Sequence, residues 1–506
     1  MDTSIDSEDH DLAPLISGSA SNAGLNDSRA SGLGGEGKVG STLESGSWGG
    51  HALSSNRPVT ISRTPSQPRD SGYTLAFMSH FVLTVLISFF EGGKRSAEDA
   101  LLMSSYDAGS WASVLMIVCL LSCVSGLLMT IGLTDPRVRE HILNPAALLA
   151  NIVVQICLGN ILLLLSGKYS CIGIYFLICA IVEALRYNVH SSRLAFVGNL
   201  IDIVVEVFQA YKSSLAIACV FIVLGQTLAL LWWGAFFVSL ISATGPLTST
   251  GVLILMSFSW YWITQFFQGM ISFLIGGCML WYFEGNRLDR DEELNPNGNR
   301  VILYLQCAVS SSFGSICKGA LWSWPSSRLL SLHARLDAAA QRHALGRGTS
   351  ISGCINHLLL SVTTPFISFA RSHNRSGFAL GAIYGYSYTK AASEQYSRQP
   401  DCITVLMASE ELQVISALSS AVAGTMSILF GLFTKNEGSS RSLFLLLCLL
   451  MAHSGISLAL SAYSSAVDAF MVAFTNPELR VSNSYIPVQR WIRLLEETEA
   501  GRADKQ

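Results

Sequence analysis

Long uncharged runs separated by short polar connections dominate the chain from residue 70 onward. Apolar runs cover about residues 73–91, 110–133, 146–166, 171–189, 214–241 and 250–283. An α-helix needs about 20 such residues to cross a hydrocarbon core, so each run predicts a membrane span. Residues 191–212 differ: Leu194, Val197, Ile201, Val204, Val205 and Phe208 line one side, with Asp202, Glu206 and Lys212 elsewhere. That pattern predicts an amphipathic helix lying at the membrane surface. Farther on, a run at 301–324 is interrupted by Lys318 and closed by Pro325. Arg328, Arg335, Arg342 and Arg347 follow, then a weaker run at 351–370 and a helix rich in small residues and tyrosine over 376–398. Two further spans are expected at 408–433 and 441–474. The fold expected is all-α: a polytopic helical membrane protein of about ten transmembrane helices, or eight plus re-entrant segments around 301–370.

The run at 250–283 organises the rest. Its stretch Met256 to Phe283 has no charge and is longer than a bilayer core requires. Tyr261, Trp262, Phe266 and Phe273 recur at near-helical spacing, while Gly269, Gly276 and Gly277 leave notches for a neighbouring backbone. Such a stripe suits a cation pathway. It suits a plain helix–helix seam equally well.

Composition agrees with a membrane protein: 50% of the residues are hydrophobic and 13% are charged, against about a quarter charged in soluble domains. A net charge of −3 without a basic stripe gives no sign of nucleic-acid binding. The twelve cysteines form no CxxC pair, so small apolar packing roles are expected and no metal or cofactor. Residues 1–70 are rich in Ser, Gly, Asn and Asp and predict a disordered cytoplasmic tail ahead of a transmembrane domain at 71–475 and a C-terminal tail at 476–506. Without a charged start followed by an apolar segment, no cleaved signal peptide is expected. Asp11, Leu15 and Ile16 resemble the acidic dileucine signals read by vesicle-coat adaptors. Ser62, Thr64 and Ser66 lie near Arg63 and Arg69 as candidate phosphorylation sites.

Basic residues set the orientation. With the N-terminus inside, the cytoplasmic connections hold Arg137, Arg139, Arg186, Arg193, Lys212, Arg287, Arg290 and Arg300. The outer ones hold Lys94, Arg95 and Lys168. Both termini are therefore expected in the cytoplasm.

Four segments, in order, resemble the choline transporter-like family. Ser259-Trp260-Tyr261-Trp262-Ile263-Thr264-Gln265, with Gly276 and Trp281-Tyr282-Phe283, is similar to the family's central helix. Ser312-Phe313-Gly314-Ser315-Ile316 is similar to its FGS segment. Asn374 through Ile383-Tyr384-Gly385-Tyr386-Ser387 is similar to its Asn–Ala-Tyr and Tyr-Gly-x-Ser stretch. Val467-Asp468 with Val472 and Phe474 resembles its last span. The chain departs from the pattern at Ile271-Ser272-Phe273, where family members often carry His-Val-Thr, and at Gly377-Phe378, where alanine is usual at the first position. The short connection after the first span resembles the plant and fungal members.

The resemblance implies facilitated or proton-coupled movement of choline, or of ethanolamine, across a bilayer, with no catalytic cycle. The plasma membrane is the expected location, with endosomal or vacuolar membranes as the alternative suggested by the dileucine-like signal. A quaternary ammonium cannot donate a hydrogen bond, so aromatic faces within about 6 Å must recognise it, each worth roughly 0.5–2 kcal/mol. Trp232, Trp233, Tyr261, Trp262 and Phe266 are the candidate cage, packing being the alternative for all five; Trp281 and Tyr282 read as interface anchors.

Ionisable groups at membrane depth are costly and become candidates by default. Asp468 is the foremost acid, to balance a cation, relay a proton, or pair with His453 or Lys318. Glu183 has Arg186 at i+3. Glu91 ends the first span as a carboxylate at the outer mouth. Asn151 and Gln155 share a face and are expected to bond between helices. Lys318 would repel a cation in the path and is expected to snorkel or pair. The absence of HExxH, GxSxG and GxGD patterns argues against an intramembrane enzyme. A non-transporting trafficking or lipid-handling scaffold remains the second reading.

Overall fold

The computed structural model describes residues 68–93, 105–142, 144–165, 170–190, 194–243, 246–288, 297–345, 351–398, 422–425 and 439–475. These lie in one unit, Ile61–Arg493. The principal elements in chain order are α1 (Ser71–Gly93), α2 (Ser105–Thr134), α3 (Pro136–Ile142), α4 (Pro145–Leu165), α5 (Ser170–His190), α6 (Leu194–Ala210) and α7 (Lys212–Ala243). Then come α8 (Pro246–Leu288), α9 (Asn297–Val309), α10 (Phe313–Leu345), α11 (Ile351–Arg371), α12 (Gly377–Tyr384), α13 (Tyr388–Arg398) and α14 (Ser439–Thr475). No strand occurs among the described residues. The tail signal Asp11, Leu15 and Ile16, the C-terminal tail and all but 422–425 of the span expected at 408–433 lie outside them.

Local sequence explains several boundaries. Pro136 and Pro145 open α3 and α4, where a missing N–H costs nothing. The preceding Asp135 and Asn144 accept the backbone N–H of Arg137 and Ala146, each at 2.9 Å, as helix caps.

Five helices are long and apolar enough to cross a membrane, at 113–134, 145–164, 212–234, 250–283 and 444–474. The chain is an integral, multipass membrane protein. A sixth span arises if α9 and α10, bent by 77° at 310–312, count together, while α1 and α5 carry shorter apolar windows at 71–87 and 172–185.

The expected stop at Pro325 is corrected: α10 runs through it to Leu345 and carries Arg328, Arg335 and Arg342 on the helix. Proline removes one N–H, a loss that a helix packed by neighbours tolerates. The interruption falls instead at the Ser310-Ser311-Ser312 run. The single helix expected over 376–398 is also corrected. Gly385, with φ of +65°, ends α12, and α13 starts three residues later.

Helix α8 is the hub, touching α7, α9, α10, α12 and α14. The glycine notches are used as expected. A Cβ on Gly276 would meet the Cα of Ala379 in α12 at 2.8 Å, and one on Gly277 would meet the Tyr304 ring at 2.9 Å. Along its other side α8 is stitched to α14 by Trp260 Nε1 donating to Ser454 Oγ (3.1 Å), Gln268 Nε2 to Ser457 Oγ (3.2 Å) and the Ser272–Ser465 hydroxyl pair (2.7 Å). In lipid such contacts, with close packing, replace the hydrophobic drive that joins helices in water.

Helix α6 keeps Asp202 and Glu206 exposed and buries Leu200, Ile201, Ile203 and Val204 against protein. Asp202 pairs with Arg139 of α3, and Glu206 accepts the Tyr282 hydroxyl at 3.3 Å. The amphipathic pattern is confirmed, but α14, α2 and α7 supply contacts to its apolar side.

Candidate functional site

Helix α1 gathers the aromatics. Phe77, His80 and Phe81 stand at i, i+3 and i+4 and so share one face. Phe77 stacks on Phe266 (4.9 Å between centroids), meets Trp262 edge-on (5.2 Å) and reaches Phe313 (6.1 Å), while Phe266 and Phe313 are 5.1 Å apart. His80 lies 5.5 Å from Trp262 and 5.2 Å from Phe258, with Nε2 2.7 Å from the Ser259 hydroxyl. Phe81 stacks on Trp232 at 4.3 Å. Trp262 and Phe266 are therefore brought together, and Trp232 is joined to them through α1.

The other two members of the expected cage sit elsewhere. Trp233 is 1% exposed, stacks on Phe237 at 5.1 Å, and donates its indole N–H to the Met256 carbonyl at 2.8 Å. Tyr261 points to α10, donating its hydroxyl to the Leu321 carbonyl at 3.0 Å beside Trp324. Trp262 Nε1 donates to the Cys317 carbonyl at 3.1 Å, which fixes the indole plane and leaves its faces for other rings.

Asp468 is paired with Arg375, whose Nε lies 3.5 Å from Oδ2. The guanidinium Nη2 also reaches Ser465 (3.3 Å) and Ser272 (3.5 Å). Neither His453 nor Lys318 is the cation at this carboxylate: His453 meets Tyr175 at 3.3 Å. Arg375 belongs to the segment just before α12, which the helix break positions, and the sequence alone does not connect it with a residue 93 positions later.

Glu183 is 7% exposed and accepts Asn151 Nδ2 (2.9 Å) and Gln155 Nε2 (2.8 Å) across the α4–α5 seam. The shared face of the two amides thus serves interhelical bonding, as expected. Glu91 lies in the last turn of α1, its side chain outside the described set. Trp281 is covered by Arg300 at 4.0 Å.

Lys318 does find a partner, at Asp70, 3.3 Å away. Asp70 stands just before α1 and was unremarkable at the end of a polar tail. Its carboxylate also accepts Ser315 Oγ (2.6 Å) and the backbone N–H of Tyr388 (3.1 Å). Those donors stand in the first turns of α10 and α13, where the helix dipole favours an anion. Arg69 N–H donates to the Ser311 carbonyl at 3.0 Å, and the Arg69 guanidinium lies against Gly385. Burial lowers the Arg69 pKa from its usual value, and neighbouring Cys307 and Asp70 oppose that shift.

Two of the four quoted motif segments meet at this carboxylate. Gly314 lets the carbonyls of Arg69 and Asp70 approach where a Cβ would collide with them, and Ser315 supplies the hydroxyl. Gly385 and Ser387 form the break that presents Tyr388 N–H. The Gly377-Phe378 departure is also accounted for: Phe378 fills the space beside Gly269 and Gly319, and Gly377 sits where a Cβ would press Tyr388 O at 3.0 Å.

Residues 174–477, more than half of the chain, match the family described as plasma-membrane choline transporter. The chain belongs to that choline transporter-like family. All four motif segments fall within the matched residues. Among fungal relatives, Protein PNS1 of Debaryomyces hansenii is 22% identical over 368 residues, covering 68% of this chain and 69% of that protein. Protein PNS1 of Saccharomyces cerevisiae is 23% identical over 412 residues, covering 74% and 72%. Protein PNS1 of Kluyveromyces lactis is 25% identical over 305 residues, covering 56% of this chain and about half, 52%, of its own length. Family membership makes this a membrane protein of a transporter family, and a choline-like solute is what the family description names.

Proposed function

We propose that the protein carries choline, or a related amine such as ethanolamine, across a membrane by facilitated or proton-coupled transport. The observation that supports this most is the ring cluster of Phe77, Trp262, Phe266 and Phe313, built from three helices beside the uncharged centre of α8. A quaternary ammonium held against Trp262, Phe266 and Phe313 gains from each ring face without any hydrogen bond, at roughly 0.5–2 kcal/mol per face. Trp262 and Phe266 are the principal cage residues. Trp232 stands at the next turn, and Tyr261 and Trp233 act by holding α8 to α10 and α7. Asp468 supplies a buried negative charge three residues after Ser465 on α14, and its ion pair with Arg375 is the contact a proton or a cation would exchange against. Glu91 raises cation concentration at the outer mouth, with Glu183 a second acid at membrane depth.

Both termini face the cytoplasm on this reading, in the plasma membrane, and Asp11, Leu15 and Ile16 would address the chain to a vesicle-coat adaptor. The test is uptake of radiolabelled choline into proteoliposomes holding the purified full chain. Trp262→Ala should abolish uptake with the protein still folded, and Asp468→Asn should lower it. Full uptake in both variants would sink the cage and the charge site together. A scaffold reading draws on the packing of Trp233 and Trp262, whose indole N–H groups are both tied to backbone carbonyls; it expects no uptake in any variant.

A further inference from the structure

Phe77 covers the ring faces that a cation would use, and Asp70 lies seven residues before it. Asp70, at φ of +50°, stands outside the helix and anchors the N-terminal end of α1, which carries Phe77 in its second turn. Asp70 is a compact anchor: one carboxylate collects the Ser315 hydroxyl, the Lys318 ammonium and the Tyr388 N–H, and so ties α1 to the helices on the far side of both backbone breaks. Those breaks, at 310–312 and at Gly385–Ser387, are where the chain can turn without losing a helical hydrogen-bond ladder.

We propose that α1 is a gate, with the Asp70 carboxylate as its latch and Phe77 as its plug. In the latched state Phe77 sits on Trp262 and Phe266. Release of Asp70 from Ser315, Lys318 and Tyr388 lets α1 withdraw, which bares the rings and opens a way between α10 and α13. The inference rests on the transport reading and deepens it by naming the moving part. Lys318, once the latch opens, stands as a positive charge at the entrance and repels a cation from lingering there.

The test uses the full chain in proteoliposomes with Thr389→Cys. This residue accepts from Lys318 at 3.3 Å, and its replacement leaves the Asp70 ion pair in place. A membrane-impermeant maleimide is supplied on both faces, with the unsubstituted chain as the control for native cysteines. Saturating choline should raise the modification rate at least about fivefold by shifting the population of open gates. Asp70→Asn, which keeps the side-chain size and loses the ion pair, should give the high rate with or without choline. If uptake is present and the rate ignores both choline and Asp70→Asn, Asp70 is a fixed strut and the gate is overturned while transport stands. Without uptake the transport reading falls, and equal rates in Asp70 and Asp70→Asn chains then overturn the latch as well.

Discussion

The continuous spans and the broken ones differ in where their polar contacts sit. Helices α8 and α14 run for 43 and 37 residues, bury most of their apolar length and meet through neutral groups, serine, glutamine and an indole. The pairs α9–α10 and α12–α13 are interrupted, and Lys318 and the Asp70 carboxylate work beside their interruptions, with Arg375 in the turn that leads into α12. A helix interior has no spare donors, whereas each fresh helix start offers unsatisfied N–H groups. Lys318 and Asp70 use such fresh starts, whereas Asp468 and Glu183 sit on uninterrupted helices and rely on Arg375 and on the amides of Asn151 and Gln155. On the gating proposal the continuous pair is scaffold, and the broken pairs are where the moving α1 is latched.

Substitutions can break the contrast, starting with the most severe. Gly314→Leu drives a side chain into the carbonyls of Arg69 and Asp70, which flexible neighbours cannot absorb. Loss of folded, monodisperse protein on size-exclusion chromatography is expected, at a cost of about 3 kcal/mol or more; normal yield would mean that the segment before α1 is not seated on α10. Next, Asp468→Leu strands the Arg375 guanidinium, at about 3 kcal/mol. Adding Arg375→Met should restore most of the lost thermal stability, and a double variant no better than the single one would remove the ion pair from the account. Trp262→Ala ranks third for stability but first for uptake, because it removes a ring face from α1, α8 and α10 together. Asn151→Ala should be the mildest, about 1 kcal/mol in thermal unfolding, since Gln155 still donates to Glu183.

Much of the scaffold was legible from residue pattern. Helix bounds followed the apolar runs, the notches at Gly276 and Gly277 received Ala379 and Tyr304, and Asn151 with Gln155 bonded across helices. Breaks were harder. Pro325 carried the stronger stop signal and was overridden by packing, while three serines in a row, a weak signal, mark the real bend. The candidate site was legible only on its α8 side. The Phe77, His80, Phe81 spacing was there to be read, but a first span full of apolar residues offers many such triples. Asp70 gave no local sign, because its partners stand 245 to 318 positions away.

The length of α8 has a consequence of its own. Its apolar window, Thr250–Phe283, holds 34 residues, and at about 1.5 Å each it outreaches any ordinary bilayer by a wide margin. A rod that long is accommodated by tilt, by a kink or by local thickening of the bilayer. Because most of that window is packed against neighbouring helices, those neighbours set its angle and the surrounding bilayer must adjust to the bundle.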